Sequence, residues 1–295
     1  MSEIVRELTS QPETWRRAAA EAIGAADLLP RRGDRVAAVG CGTSLFVAEA
    51  YAGLRETSGQ GETDAFAASE APTARTYDVV IAISRSGTTT EVARLLARPW
   101  PGARSLAICG VDQTPVAEAA TDRVILGFAD ERSVVQTRFA TGALAFLRAS
   151  LGQDLETVAD DGERALAADL PFEPGAFEHF VFLGRGWTVG LANEAALKIR
   201  ETSGAWAESY PALEYRHGPI SVAGPRSVVW PLGDVEPDLL QDVAATGATV
   251  VDPGLGGIDP MAELILVQRT AVALADGRGL DPDRPRHLTR SVVLS

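Results

Sequence analysis

Hydrophobic positions along the chain change rhythm after the first thirty or so residues. Around Ile4, Val5, Leu8 and Trp15 they recur at helical spacing, and Ser10-Gln-Pro12 reads as an N-cap with proline in the first helical turn. The turn-rich stretch GAADLLPRRGD follows. From Arg35 onward, short apolar runs alternate with glycine turns and helical patterns. Val36–Val39 predicts a strand, Gly40–Ser44 a tight turn and Leu45–Leu54 a helix. Tyr77–Ser84 predicts a continuous apolar strand, the pattern of a parallel sheet covered on both faces. Arg85–Thr90 is then a polar loop, Glu91–Ala97 a helix, Ser105–Cys109 and Arg123–Leu126 further strands, and Val134–Ser150 a long apolar helix.

The grammar then recurs. Phe180–Leu183 predicts a strand, Gly184–Trp187 a glycine turn and Val189–Ser203 a helix, with Ser227–Trp230, Thr249–Val251 and Leu264–Leu274 supplying later strands and a helix. The glycine turns at Gly40 and Gly184 lie about half a chain apart, and the element order around them predicts an internal duplication. The expected fold class is therefore α/β, with two doubly wound parallel sheets. The expected organisation is a helical arm over 1–30, a first domain over 31–152 and a second over 153–295. A polar, acidic connector is expected near Leu151–Pro174.

Composition narrows the partners. A chain of 295 residues with 46% hydrophobic residues can bury a sizeable core. Lys and Arg total 27 against 40 Asp and Glu, a formal charge of -13, and that field disfavours nucleic acid and anionic membrane surfaces. Two cysteines and three histidines make neither a disulfide framework nor an ordinary zinc cluster, so Cys41 and Cys109 read as reduced thiols. The N-terminus lacks the apolar core of a secretory signal, and no apolar run has the ~20 residues of a bilayer span. A soluble cytoplasmic protein is expected.

Three segments carry candidate chemistry. Ser84-Arg-Ser-Gly-Thr-Thr-Thr90 follows a buried strand and opens a helix, the edge at which open α/β sheets bind ligands. Its five hydroxyls, together with free backbone N–H groups at the helix start, suit a phosphate, and Gly87 lets the backbone approach closely. The simpler alternative is a capped loop, since Ser and Thr favour helix starts. The Walker pattern is absent. Gly40-Cys-Gly-Thr-Ser44 and Gly184-Arg-Gly186 each lack parts of a dinucleotide fingerprint, so NAD is not expected, and Thr43 and Ser44 read as further hydroxyl contacts to the same small ligand. On the predicted helix Val189–Ser203, Glu194, Lys198 and Glu201 share one face. They could be an exposed ion pair worth a few tenths of a kcal/mol, or a proton acceptor held beside an ammonium. His217, in Glu214-Tyr-Arg-His-Gly-Pro219, sits on a punctuated loop, and with an ordinary pKa of ~6.5 it can exchange protons near neutrality. No role is expected for His179 or His287.

Together these segments resemble the sugar isomerase (SIS) domain family, with two SIS domains of three-layer αβα form in tandem. They are similar to the isomerase half of glucosamine-6-phosphate synthase and to galactosamine-6-phosphate deaminase/isomerases. The likeness runs through GCGTS, ISRSGTTTE, ERSVVQTRFA, LGRGWTVGLANEAALKIRET, AESYPALEYRHGP and DRPRHLTRSVVLS, and E-x3-K-x2-E followed by E-x2-H-G-P is its most specific part. The resemblance implies that Ser84, Arg85, Ser86 and Thr89 hold a sugar phosphate, with Gly42, Thr43 and Ser44 beside them, and that Val134 contacts the sugar. It implies that Glu201 moves a proton between C1 and C2 with Glu194 and Lys198 in support, and that His217 opens the sugar ring from a neighbouring subunit of a homodimer. No cofactor and no metal are implied.

Two departures stand out. Ser2 follows Met1, so the synthase's N-terminal glutaminase domain is not expected here. Arg290 stands where the synthase has a Schiff-base lysine, and a guanidinium cannot form that adduct, though it can bind an oxyanion. The expected function is a phosphosugar aldose–ketose isomerase or amino-sugar 6-phosphate deaminase, acting on a hexose or amino-hexose 6-phosphate. The alternative is a non-catalytic phosphosugar-binding regulator.

Overall fold

The computed structural model describes residues 1–98 and 100–294. Its elements, in order, are α1 (Glu3–Thr9), α2 (Gln11–Gly24), β1 (Val36–Gly40), α3 (Thr43–Thr57), β2 (Thr63–Ala67), β3 (Val79–Ser84), α4 (Thr90–Leu96), β4 (Arg104–Cys109), α5 (Pro115–Ala119) and β5 (Asp122–Ile125). There follow α6 (Arg138–Ser150), α7 (Leu155–Ala167), β6 (His179–Gly184), α8 (Thr188–Ser203), β7 (Trp206–Pro211), β8 (Ser227–Leu232), α9 (Pro237–Ala245), β9 (Thr249–Val250) and α10 (Pro260–Gly277). The chain forms two compact units. One comprises 10–132, 136–156 and 289–295; the other comprises 1–9, 133–135 and 157–288.

The first of these units is built on a five-stranded parallel sheet of order β2-β1-β3-β4-β5. Every residue of β3 is buried, which explains its unbroken apolar sequence. Alternation divides the sheet residues between two faces. Ala37, Val39, Val80, Ala82 and Ala107 pack with Val92 and Leu95 of α4 and with Val116 of α5. On α2, the fully buried Trp15 donates from Nε1 to Thr141 Oγ1 on α6 at 2.8 Å, so its indole is satisfied as well as packed.

The other unit carries a four-stranded parallel sheet of order β7-β6-β8-β9. Val181, Leu183 and Val229 pack against Leu239 and Val243 of α9. The alternate positions Phe180, Phe182 and Trp230 form an aromatic cluster with Phe172. Helix α10 starts at the N-cap of Asp259, whose side chain accepts from Met261 N at 2.9 Å, with Pro260 at the first helical position. Helix α8 ends on Gly204 in the left-handed region, φ 63°, the usual glycine stop.

Two expectations need correction. The long helix expected from Val134 begins only at Arg138, because the buried Glu131 carboxylate accepts from Thr137 N (2.6 Å) and Arg138 N (2.9 Å) and caps the helix there. Val134 therefore lies in the irregular segment ahead of α6, half-buried. The stretch expected as a polar connector holds α7, whose acidic residues alternate with the buried Leu155, Val158, Ala159 and Ala165.

One buried carboxyl gives the second unit a pH dependence. Glu263 on α10 accepts from Trp230 Nε1 at 2.7 Å, and burial pushes its pKa up to about 7. Its folded pKa exceeds its unfolded one, so its contribution to stability is full below about pH 4.5 and is lost as pH rises through about 7. Glu263→Gln keeps an acceptor for Trp230 and cannot ionise. Thermal unfolding from pH 4.5 to 8 should show the wild type losing roughly 3 kcal/mol that the variant keeps. Parallel pH profiles for the two proteins would exclude this role.

Candidate active site

Strand order places the first group of candidate residues. In a parallel sheet ordered 2-1-3, the connections after the first and third strands leave in opposite directions, and a crevice opens at their carboxyl ends. Here those strands are β1 and β3, paired in parallel, and their carboxyl ends lead into Cys41–Gly42 and Arg85–Thr89. The two hydroxyl-bearing turns expected from sequence thus share one sheet edge within one unit. Gly42 is the N-cap of α3 with φ 55°, and Thr43 and Ser44 are buried in its first turn.

The Ser84 loop is held from inside. Gly87 N donates to Ser84 Oγ at 3.2 Å, Thr88 N donates to Ser86 Oγ at 3.2 Å, and Val116 N donates to Gly87 O at 2.9 Å. Gly87 has φ 65°, and a Cβ there would lie 2.0 Å from Thr114 Oγ1. Only glycine fits. Thr89 is the N-cap of α4, yet its side chain makes no capping bond. Arg85 is buried, with Nη1 3.9 Å from Glu131 Oε2 and Nη2 donating to Arg290 O at 2.8 Å.

The chain's tail lies on this same loop. Ser291 Oγ sits 3.1 Å from Ser86 Oγ and 2.8 Å from Thr88 Oγ1, Thr90 N donates to Val292 O at 3.3 Å, and Leu294 N donates to Thr90 Oγ1 at 2.9 Å. The Arg290 guanidinium is paired with Asp130. Thr88 is one of the five hydroxyls expected from sequence to suit a phosphate, whereas sequence reasoning missed Ser291, which nothing local marks. Neither cysteine is poised as a nucleophile: burial pushes the Cys41 thiol up and the Cys109 thiol up to about 12.

In the other unit, α8 carries Glu194, Lys198 and Glu201 on one face. The exposed-pair alternative is excluded. The Lys198 and Glu194 side chains are 1% and 3% exposed and Glu201 is 20% exposed, with Lys198 Nζ 3.4 Å from Glu194 Oε1 and 2.6 Å from Glu201 Oε2. A buried ammonium is thus clamped between two carboxylates, an arrangement whose desolvation cost hydrophobic residues of similar size would avoid. Glu201, the outermost of the three, lines a cavity of about 890 Å³ formed by the end of α8 and the segment after α10. His217 is not among the residues lining that cavity. It ends a short 3-10 turn, Ala212–His217, and is exposed.

No protein-family model matches the sequence. The chain is 26% identical to a glutamine–fructose-6-phosphate aminotransferase (isomerizing) of Sulfolobus acidocaldarius, over 99% of this chain and 56% of that one. It spans about half the length of the curated relatives it matches. A glucosamine-6-phosphate deaminase from Thermotoga maritima has the same fold, with TM-score 0.84 and 24% identity over 99% of this chain and 100% of that one. So has the tagatose-6-phosphate ketose/aldose isomerase from Escherichia coli, with TM-score 0.80 and 20% identity over 98% and 97%. The α/β architecture with parallel sheets is thus that of phosphosugar isomerases and deaminases. Among the described residues no helix is long and apolar enough to cross a membrane.

Two substitutions separate structural from chemical roles. Lys198→Met leaves two buried carboxylates without their cation and should cost roughly 3–5 kcal/mol in denaturant unfolding. Glu201→Gln keeps the shape, and its stability should change by less than about 1 kcal/mol. An equal loss in both would make the cluster a purely structural unit. Gly87→Ala, strained in both φ and space, should lower the unfolding midpoint and distort the hydroxyl loop.

Proposed function

We propose that the protein is a sugar-phosphate isomerase or deaminase of the SIS type, acting on a hexose 6-phosphate or amino-hexose 6-phosphate. The observation that carries this reading is the burial of Lys198 between Glu194 and Glu201, with Glu201 alone of the three reaching the cavity. Two tandem SIS domains, over 31–152 and 153–295 and each holding one parallel sheet, preceded by an arm over 1–30, are part of this reading.

In this reading the hydroxyls of Ser84, Ser86 and Thr89, with Arg85 and with Gly42–Ser44 beside them, hold the phosphate. Neutral donors and a buried guanidinium suit a dianion. Glu201 removes the C2 proton of the open-chain aldose and returns it to C1, so that the electron pair passes through an enediol. Lys198 orients the Glu201 carboxylate and Glu194 completes the clamp. His217, supplied by a second copy in a homodimer, opens the ring. Where C2 carries an amine, the same proton transfer yields a ketimine, and addition of water then releases ammonia and leaves the ketose phosphate. Val134 and Arg290 are proposed to contact the substrate.

The test is incubation of the protein with glucosamine, galactosamine and fructose 6-phosphates in deuterated water, following ammonia release and exchange at C2 of the two aldoses and at C1 of the ketose. Wild type should exchange the C2 proton, and Glu201→Gln should slow exchange by about 10²–10⁴-fold. Exchange unaffected by that substitution removes Glu201 from its role. Tight binding without turnover on any of the sugars favours the regulator instead.

A further inference from the structure

The amino edge of the four-stranded sheet, opposite the edge that leads into Arg185–Trp187, holds a polar cluster that the proposed reaction does not use. The parallel register sets Trp206 of β7, His179 of β6 and Ser227 of β8 side by side in one row. Side chains alternate along a strand, so Trp206, Glu208 and Tyr210 share one face of β7. The opposite face meets α8, where Ser209 Oγ donates to Asn193 Oδ1 at 2.8 Å. On the shared face three groups converge on one carboxylate. Trp206 Nε1 donates to Glu208 Oε1 at 3.1 Å, the Tyr210 hydroxyl donates to Oε2 at 3.1 Å, and His179 Nε2 lies 3.2 Å from Oε2.

These contacts leave a negative charge beside an open aromatic face. Burial raises the Glu208 carboxyl, but the bonds from Trp206, His179 and Tyr210 outweigh it and hold the group below the usual carboxylate range. The imidazole is satisfied without a charge of its own, since Nε2–H donates to Glu208 and Nδ1 accepts from Ser227 Oγ at 3.0 Å. Among the described residues no Lys or Arg forms an ion pair with Glu208, and Arg226, at the same rim, is taken by Glu178. Trp206 is 67% exposed although its N–H is fixed, so the indole is held in one orientation with its face to solvent. Both side chains line a cavity of about 470 Å³, inside the ~300–1,000 Å³ range of small-molecule sites, and Pro225 and the exposed Val222 line it with them.

We propose that this cavity binds an organic ammonium, with the cationic nitrogen between the Trp206 face and the Glu208 carboxylate. An indole attracts a cation to its face through the ring quadrupole, and the carboxylate beside it adds a full opposite charge. Val222 and Pro225 supply apolar contact for the carbon substituents of the nitrogen. His179 is a positioning residue, bridging Ser227 on β8 to Glu208 on β7 and so fixing the carboxylate at the rim. The cavity shares no lining residue with the one beside Glu201, and the inference does not depend on the phosphosugar reading.

The test is calorimetric titration of the full-length protein with two cations and their neutral counterparts: choline against its uncharged tert-butyl analogue, and glucosamine against glucose. At least one cation should bind about tenfold or more tightly than its counterpart, and the better cation distinguishes an alkylammonium from an amino sugar as the source. Trp206→Leu keeps apolar area and loses the ring, and should weaken that cation by roughly 3–30-fold, whereas Trp206→Phe should keep most of the affinity. Glu208→Gln, checked for an unchanged unfolding midpoint, should cut the preference for the cation roughly fivefold. If neither cation binds more tightly than its counterpart, or if the preference survives Trp206→Leu, the site is refuted. If Trp206→Leu instead dissociates an oligomer of the wild-type chain in sedimentation, the indole belongs to an interface between copies, and the ammonium site is refuted by that result too. The isomerase reading stands in each case.

Discussion

The placement of the chemistry depends on the handedness of connections in a parallel sheet. Right-handed crossovers send α3 and α4 to opposite faces of the five-stranded sheet, where α3 meets α6 and α4 meets α5. The loops that feed these helices must therefore part at the carboxyl ends of β1 and β3. A gap lined by backbone N–H groups and by whatever side chains the loops carry follows from topology alone. The sequence decides only what fills it, and here that is a set of hydroxyls and one buried arginine.

The four-stranded sheet has the corresponding gap between β6 and β8, and its contents differ. There Arg185 Nη1 pairs with Glu236 Oε1 at 2.6 Å across the loops that follow the two strands. An ion pair of the chain's own residues takes the place that hydroxyls hold in the other sheet. In this unit the polar chemistry is displaced onto the body of α8, where Glu194 and Lys198 are buried and Glu201 is half-buried. The same topology thus serves two different ends, and the difference lies in a few side chains rather than in the fold.

Much of this was legible in the chain. β1, β3, β4, β6 and β8 are short, apolar and buried, and their signal survives without any partner. By contrast, β2 and β7 lie at sheet edges, and TDAFA and WAESYP carry too much polarity to stand out. α7 was hidden because its acidic outer face dominates its composition. The start of α6 was misplaced because its cap is a carboxylate seven residues upstream of Arg138, a tertiary arrangement that periodicity does not encode. The Glu194–Lys198–Glu201 spacing was plain, but the burial of Glu194 and Lys198 was not, since burial depends on tertiary packing that spacing along one helix does not encode. Ser291 comes from a tail whose basic, proline-rich sequence reads as ordinary surface.

The tail has a thermodynamic consequence for any anion that settles among the hydroxyls of Ser86 and Thr88. Those groups already have a neighbour in Ser291, so an anion that needs both hydroxyls competes with the tail for them. The apparent dissociation constant of such an anion is its intrinsic value divided by the fraction of molecules whose last residues have swung clear. Affinity at this edge is therefore set partly by how firmly Val292 and Leu294 hold Thr90, residues that need never meet the ligand.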